Sequence, residues 1–145
     1  MAYSFGNRSK VKLASCHKDL QIIAEEAIKV SQIDFGISEG HRTLEKQLEY
    51  FNTGKSKKDG IKNRSKHNQS PAQAFDFYAY IPNKPELSFD IRYLCYLVGV
   101  ITATARRLLN EGRITHKVRS GANWDSDGEI LTDQDFDDAV HIEII

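Results

Sequence analysis

Apolar positions recur with helical spacing from Asp19 to Val30, at Leu20, Ile23, Ala24, Ala27 and Ile28. This predicts an amphipathic helix with Glu25, Glu26 and Lys29 toward water. Ile33 to Ser38 alternates apolar and polar side chains, the period of a half-buried strand. Thr43 is suited to cap a helix through Asn52, with Leu44, Leu48 and Phe51 on one face and Gly54 as the stop. Ala74 to Ile81 reads as an aromatic-rich strand, and Pro82 and Pro85 punctuate the segment beyond it. Ser88 is placed to cap a long helix from Phe89 to Asn110. Lys117 to Ser120 is a short strand, and Ala139 to Ile145 is an apolar strand with His141 and Glu143 on one side. Two loops complete the chain, Lys55 to Gln73 and Gly121 to Asp138. The pattern implies an α+β fold, with a few helices packed on a small antiparallel sheet.

A chain of 145 residues, 40% hydrophobic, fits one domain with a real core. Neither a repeat nor a low-complexity linker divides it, so residues 1–145 are expected to form a single domain. The N-terminus has no apolar run of signal-peptide length. Tyr93 to Ala105, interrupted by Gly99 and Thr102, is too short to span a bilayer. A soluble protein made in the cytoplasm is expected, without membrane insertion. Cys16 and Cys95 cannot make a multi-bridge scaffold, and Cys95, between Leu94 and Tyr96, reads as a buried thiol. After the core is assigned no exposed apolar stripe is left over, which points to a monomer.

The net charge of zero conceals a division. Residues 1–74 hold 13 basic and 8 acidic groups, and residues 75–145 hold 7 and 12. A uniformly basic DNA-coating protein is disfavoured, and no nucleic-acid partner is expected. The imbalance concentrates in the loops. Lys55 to Lys66 carries six basic groups and Asp59, while Asp125 to Asp138 carries seven acids. Within the acidic loop, Asp125-Ser126-Asp127-Gly128-Glu129 is calcium-loop-like in composition but fails EF-hand spacing. A weakly held second cation, Ca2+, is a candidate there. Trp124 beside it reads as core.

The chemistry-bearing residues are His67, Asp76 and His141. Asp76 lies between aromatic neighbours in a strand, where a carboxylate is costly to bury unless paired or metal-bound. Two imidazoles and one carboxylate leave a fourth zinc position open, the arrangement of a catalytic rather than a structural zinc. Asp138, three residues before His141, is placed to act as a general base. Each residue also has an ordinary reading: a surface histidine, a half-buried strand histidine, a carboxylate paired to a loop lysine, a solvated acid. No compact signature such as His-Glu-x-x-His ties the set together.

Taken in order, the motifs resemble a known superfamily. They are Glu39-Gly40-His41-Arg42-Thr43 with Gln47, Gly54-Lys55-Ser56-Lys57, Ser65-Lys66-His67, Ala74-Phe75-Asp76, Gly121-Ala122-Asn123-Trp124, and Asp138-Ala139-Val140-His141-Ile142-Glu143. This series resembles the zinc peptidases that include D-alanyl-D-alanine carboxypeptidases and vancomycin-resistance dipeptidases. Within them it is most similar to the L-alanyl-D-glutamate endopeptidases used by tailed phages as endolysins. The resemblance implies a hedgehog/D,D-peptidase-like zinc peptidase fold, with Zn2+ held by His67, Asp76 and His141. It implies that Asp138 moves the proton from water to the leaving amine, and that Arg42 polarises the scissile carbonyl. It places Ser65 and Gln47 at the substrate cleft; the plainer roles are a turn cap for Ser65 and an orienting residue for Gln47. Two positions depart from the pattern: His67 and Asp76 are nine apart rather than seven, and His41 stands where Tyr or Phe is usual. His41 is read as surface-facing.

The implied function is hydrolysis of the L-alanyl-D-glutamate bond of peptidoglycan during host lysis. The alternatives are a D-alanyl-D-alanine carboxypeptidase of the same superfamily and a non-catalytic wall-binding module. A separate wall-binding module is not expected in this length. The enzyme would be made in the host cytoplasm and reach the periplasm and wall after the membrane is permeabilised.

Overall fold

Helix α2 (Lys18–Val30) forms where the helical spacing places it and buries Leu20, Ile23, Ala24, Ala27 and Ile28. In this computed structural model, residues 2–60, 64–123, 126 and 138–145 are described. A preceding helix, α1 (Asn7–Ala14), buries only Ser9 and Leu13, too few apolar positions to show as a periodicity. The long helix α4 (Ile91–Asn110) begins at Asp90 rather than Ser88, and Asp90 accepts a hydrogen bond from the Arg92 amide. Ser88 cannot cap it, because it closes a 3-10 turn over Pro85–Leu87 in helical backbone geometry, whereas a cap needs extended geometry.

Among the described residues the sheet has four strands: β1 (Asp34–Glu39), β2 (Ala74–Tyr80), β3 (Val118–Gly121) and β4 (Asp138–Ile144). Their spatial order is β1-β2-β4-β3, and every neighbouring pair is antiparallel. Phe35, Ile37, Phe75, Phe77, Ala79, Ile142 and Ile144 join the core with α2 and α4. The alternate positions carry a different cargo. Glu39 pairs in register with Asp76, Asp76 with His141, and Glu143 with Arg119. Because alternate residues share a face, one row of ionisable groups crosses all four strands. Gly121 lets β3 and β4 close up beside Asp138, since a Cβ there would collide with the Asp138 carbonyl oxygen.

Helix α3 (Leu44–Asn52) is capped by Thr43, but it is turned over relative to its apolar pattern. Leu44, Leu48 and Phe51 are 44%, 38% and 43% exposed, while Gln47 is fully buried. The chain therefore does leave an exposed apolar stripe, which removes the ground for expecting a monomer. The thiols also differ from expectation: Cys16 is the buried one and Cys95 is half-buried on the flank of α4. Burial pushes the Cys16 thiol up to about 11. No helix among the described residues is long and apolar enough to cross a membrane.

Asp19 joins the start of α2 to the segment leading into β3. Its Oδ2 accepts from the Thr115 amide at 3.0 Å, the His116 amide at 3.1 Å and His116 Nδ1 at 2.8 Å. Burial pushes this carboxyl up, but the bonds from His116 and Thr115 outweigh it, and its pKa falls below 3.8. Asp19→Ala should lower stability by about 1–3 kcal/mol, measured by urea unfolding at neutral pH. A depressed carboxylate stabilises above its unfolded pKa and loses that contribution as pH falls through the folded one. The difference between wild type and Asp19→Ala should therefore shrink as the titration is carried below pH 3.8.

Candidate metal centre

The centre is assembled from one strand pair and one turn. The register of β2 with β4 sets Asp76 opposite His141. His67 comes from a 3-10 turn, Lys66–Asn68, locked by a capping box. Ser65 Oγ accepts from the His67 amide at 3.2 Å, and Asn68 Oδ1 accepts from the Ser65 amide at 2.8 Å. The turn docks on the segment after β1: the Arg42 amide donates to the His67 carbonyl at 2.8 Å, and Asn68 Nδ2 to the Arg42 carbonyl at 3.1 Å. On its other side the same segment packs against the end of α1, which Gly40 allows, since a Cβ would collide with the Lys12 carbonyl oxygen.

His67 Nε2 and His141 Nδ1 each lie 3.1 Å from Asp76 Oδ1. The opposite ring nitrogens face acceptors: His67 Nδ1 is 2.7 Å from the Gly40 carbonyl, and His141 Nε2 is 2.7 Å from Glu143 Oε1. In neutral rings those outward nitrogens carry the protons. The two inward lone pairs then both face one carboxylate oxygen, an arrangement that repels unless a proton or a cation lies among them. The donor set thus fits a divalent ion such as zinc, and the ligand atoms lie within 4.8 Å of one another. The extension between His67 and Asp76 does not prevent their convergence.

The electrostatics agree with that fit. Burial pushes the Asp76 carboxyl up, but His67 and His141 hold it well below the usual carboxylate range. Burial pushes His141 down, yet hydrogen bonds to Asp76 and Glu143 dominate and raise it to about 9. Asp138 Oδ2 lies 4.0 Å from His141 Nδ1, and burial, then the Asp76 charge, raise its carboxyl to about 6. A carboxylate near that value can both accept and return a proton at neutral pH.

Arg42 is held beside this group. Its Nε donates to Glu39 Oε1 at 2.7 Å, Nη2 also pairs with Glu39, and Nη1 donates to Gln47 Oε1 at 2.6 Å. The guanidinium lies over the Tyr50 ring, 4.7 Å from its centroid, and Nη2 is 4.0 Å from Asp76 Oδ2. Gln47 in turn donates from Nε2 to Ser56 Oγ at 2.9 Å and to the Lys58 carbonyl at 2.5 Å. The geometry therefore places Gln47 behind Arg42 as an orienting residue. Ser65, also buried, caps the His67 turn while lining the cleft. His41 is exposed. Glu39, Tyr50 and Glu143 are site residues that motif spacing did not assign. Glu143 was legible in part, being on the strand face of His141; Glu39 and Tyr50 required the tertiary contact.

A second grouping, His17, Asp19 and His116, also lies close enough together to hold a metal. Its atoms are already engaged: His17 Nδ1 accepts from the Asp19 amide, and His116 Nδ1 donates to Asp19. It is the joint between α2 and the entry to β3. Trp124 and the calcium-like Asp125, Asp127 and Glu129 lie outside the described residues.

The centre opens into a cleft of about 640 Å³ bordered by Tyr50, Lys55, Lys57, Lys58 and Arg119. Residues 1–145 match the family model of the phage L-alanyl-D-glutamate peptidases. The chain belongs to that family. It is 26% identical over 147 residues to the L-alanyl-D-glutamate peptidase of Escherichia phage T5, with 100% of both chains covered. Its fold resembles the crystal structure of the Serratia marcescens L-Ala D-Glu endopeptidase ChiX, with a TM-score of 0.67 and 24% identity, covering 98% of this chain and 90% of that one. The α+β architecture is thus shared with a solved endopeptidase, and family membership makes the chain a peptidase. The two histidine groupings predict different behaviour. Wild-type protein dialysed against zinc should retain about one ion per chain, His67→Ala should retain none, and His116→Ala should retain the wild-type amount. Elemental analysis of the three proteins checks this.

Proposed function

We propose that this chain is a zinc-dependent endolysin that hydrolyses the L-alanyl-D-glutamate bond of peptidoglycan stem peptides. The observation that carries the reading is the convergence of His67, Asp76 and His141 beside Asp138 and Arg42, in a chain of this peptidase family. His67 Nε2, His141 Nδ1 and Asp76 would hold the ion. When bound, zinc supplies Lewis acidity to the carbonyl and makes water acidic enough to be deprotonated near neutral pH.

The protein's own groups perform the rest. Asp138 accepts a proton from the attacking water and hands it to the leaving amine. Arg42 remains charged through the cycle and faces the developing oxyanion, its plane fixed by Glu39, Gln47 and the Tyr50 ring. A guanidinium has five N–H donors, so these contacts are compatible with a further one to substrate. Lys55, Lys57 and Lys58 border the cleft. The basic loop thus sits where a stem peptide would present the carboxylates of its glutamate and diamino-acid residues. The catalytic unit is a single domain over residues 1–145, reaching the wall after the host membrane is permeabilised.

Mass spectrometry of peptidoglycan digested with purified protein tests the bond. New L-alanine C-termini and D-glutamate N-termini are expected. Loss of terminal D-alanine alone would instead identify a D,D-carboxypeptidase, and an undigested wall would sink the enzymatic reading. Asp138→Asn should reduce turnover about 10²–10⁴-fold while zinc content stays at the wild-type level. A turnover-assay rate for Asp138→Asn equal to wild type would remove Asp138 from the proton path.

A further inference from the structure

His141 is gripped on both sides. Its Nδ1 faces Asp76, and its Nε2 faces Glu143 Oε1 at 2.7 Å. Glu143 lies two residues farther along β4, so both side chains leave the same strand face. It is itself buried, 4% exposed. Its other oxygen, Oε2, accepts from Arg119 Nε at 3.0 Å and Nη2 at 2.9 Å, across the register pair of β3 and β4. Neither Glu143 nor Arg119 takes part in the proton transfers of the proposed hydrolysis.

We propose that Glu143, locked by Arg119, is a positioning residue that accepts the hydrogen bond from His141 Nε2–H, keeps the proton on that nitrogen and so directs the Nδ1 lone pair at the metal. The inference rests on His141 being a metal ligand. An imidazole ligates through one nitrogen only when the proton resides on the other, so the acceptor behind the ring decides which nitrogen is offered. His67 has a neutral acceptor behind it, the Gly40 carbonyl. His141 has a carboxylate, which makes its ring the more electron-rich and the stronger ligand. The Arg119 fork holds Glu143 in one orientation and offsets the burial of its charge. The two histidines of the centre are therefore inequivalent, with His141 the anchoring one.

The test is zinc affinity, by competition with a chromophoric chelator, in wild type, Glu143→Gln and Arg119→Gln. It is paired with the absorption spectrum of the cobalt-substituted proteins. Glu143→Gln keeps the side-chain shape but lacks the charge; its zinc affinity should fall about 10–100-fold and its cobalt bands should shift. Arg119→Gln should weaken binding in the same direction by less. If Glu143→Gln does not fold, Arg119→Gln carries the measurement. A purely structural role would lower the denaturant midpoint yet leave the affinity and cobalt spectrum of the folded protein at wild-type values, and that result overturns the proposal. A wild type that takes up no zinc would defeat the ligand assignment itself, whereas tight zinc binding unchanged in both variants defeats only the role of Glu143.

Discussion

One carboxylate oxygen, Asp76 Oδ1, is shared by two imidazole nitrogens at equal distances of 3.1 Å. That contact is what the surrounding structure serves. Asp76 interrupts a strand whose neighbours Phe75 and Phe77 are fully buried, so the strand is anchored in the core on one face and committed to charge on the other. Antiparallel register with β4 then leaves no freedom in where His141 stands. A one-residue slip would turn His141 into the core and expose Ile142, which the apolar face forbids. The hydrophobic core thus sets the spacing of the polar centre without touching it.

Around that contact the outward ring nitrogens and the arginine are each held by hydrogen-bond partners. Four acidic groups, Glu39, Asp76, Asp138 and Glu143, surround the same cleft as Arg42 and Arg119. Burial pushes Asp76, Asp138 and Glu143 toward the protonated form. The imidazoles and guanidiniums divide the set instead. Asp76 and Glu143 are kept ionised by His67, His141 and Arg119, whereas Asp138, with weaker opposition, rises to about 6. Two kinds of carboxylate, one permanently charged and one able to exchange a proton, are the separation that acid–base hydrolysis requires.

The parts legible in the sequence were those governed by short-range periodicity. The helix at residues 18–30, the strands at 34–39, 74–80 and 138–144, and the Thr43 cap all follow from local spacing. The three proposed ligands were identifiable as types, but their convergence was carried by the resemblance of ordered motifs, because residues 67, 76 and 141 share no local element. What stayed hidden was the layer behind them. Gly40 offers a backbone carbonyl, which no side-chain pattern encodes, and Glu39 joins Arg42 only because the bulge after Ile37 turns it to the Asp76 face. The start of α4 was misplaced for a similar reason: the turn at Pro85 takes Ser88 out of capping geometry, which composition alone does not reveal.

Helix α3 shows why the hydrophobic pattern can fail beside a working site. By periodicity, Leu44, Leu48 and Phe51 should have turned inward. Burying Arg42 beside Asp76 demands an uncharged acceptor for Nη1 that Glu39 does not reach, and Gln47 supplies it. Gln47 can do so only if the helix rotates its polar edge inward, which leaves the leucines and Phe51 at the surface. The same amide then binds Ser56 and the Lys58 carbonyl, so the rotation also fixes the start of the basic loop against the cleft. Local amphipathicity yields to the hydrogen-bond demand of one buried guanidinium, and Leu44, Leu48 and Phe51 each keep more than half of their surface covered, which limits the apolar cost. The orientation of α3 is therefore set by the hydrogen bonding of the centre, and among the described residues Arg42, Arg119, Lys55, Lys57 and Lys58 line one cleft with Glu39, Asp76, Asp138 and Glu143.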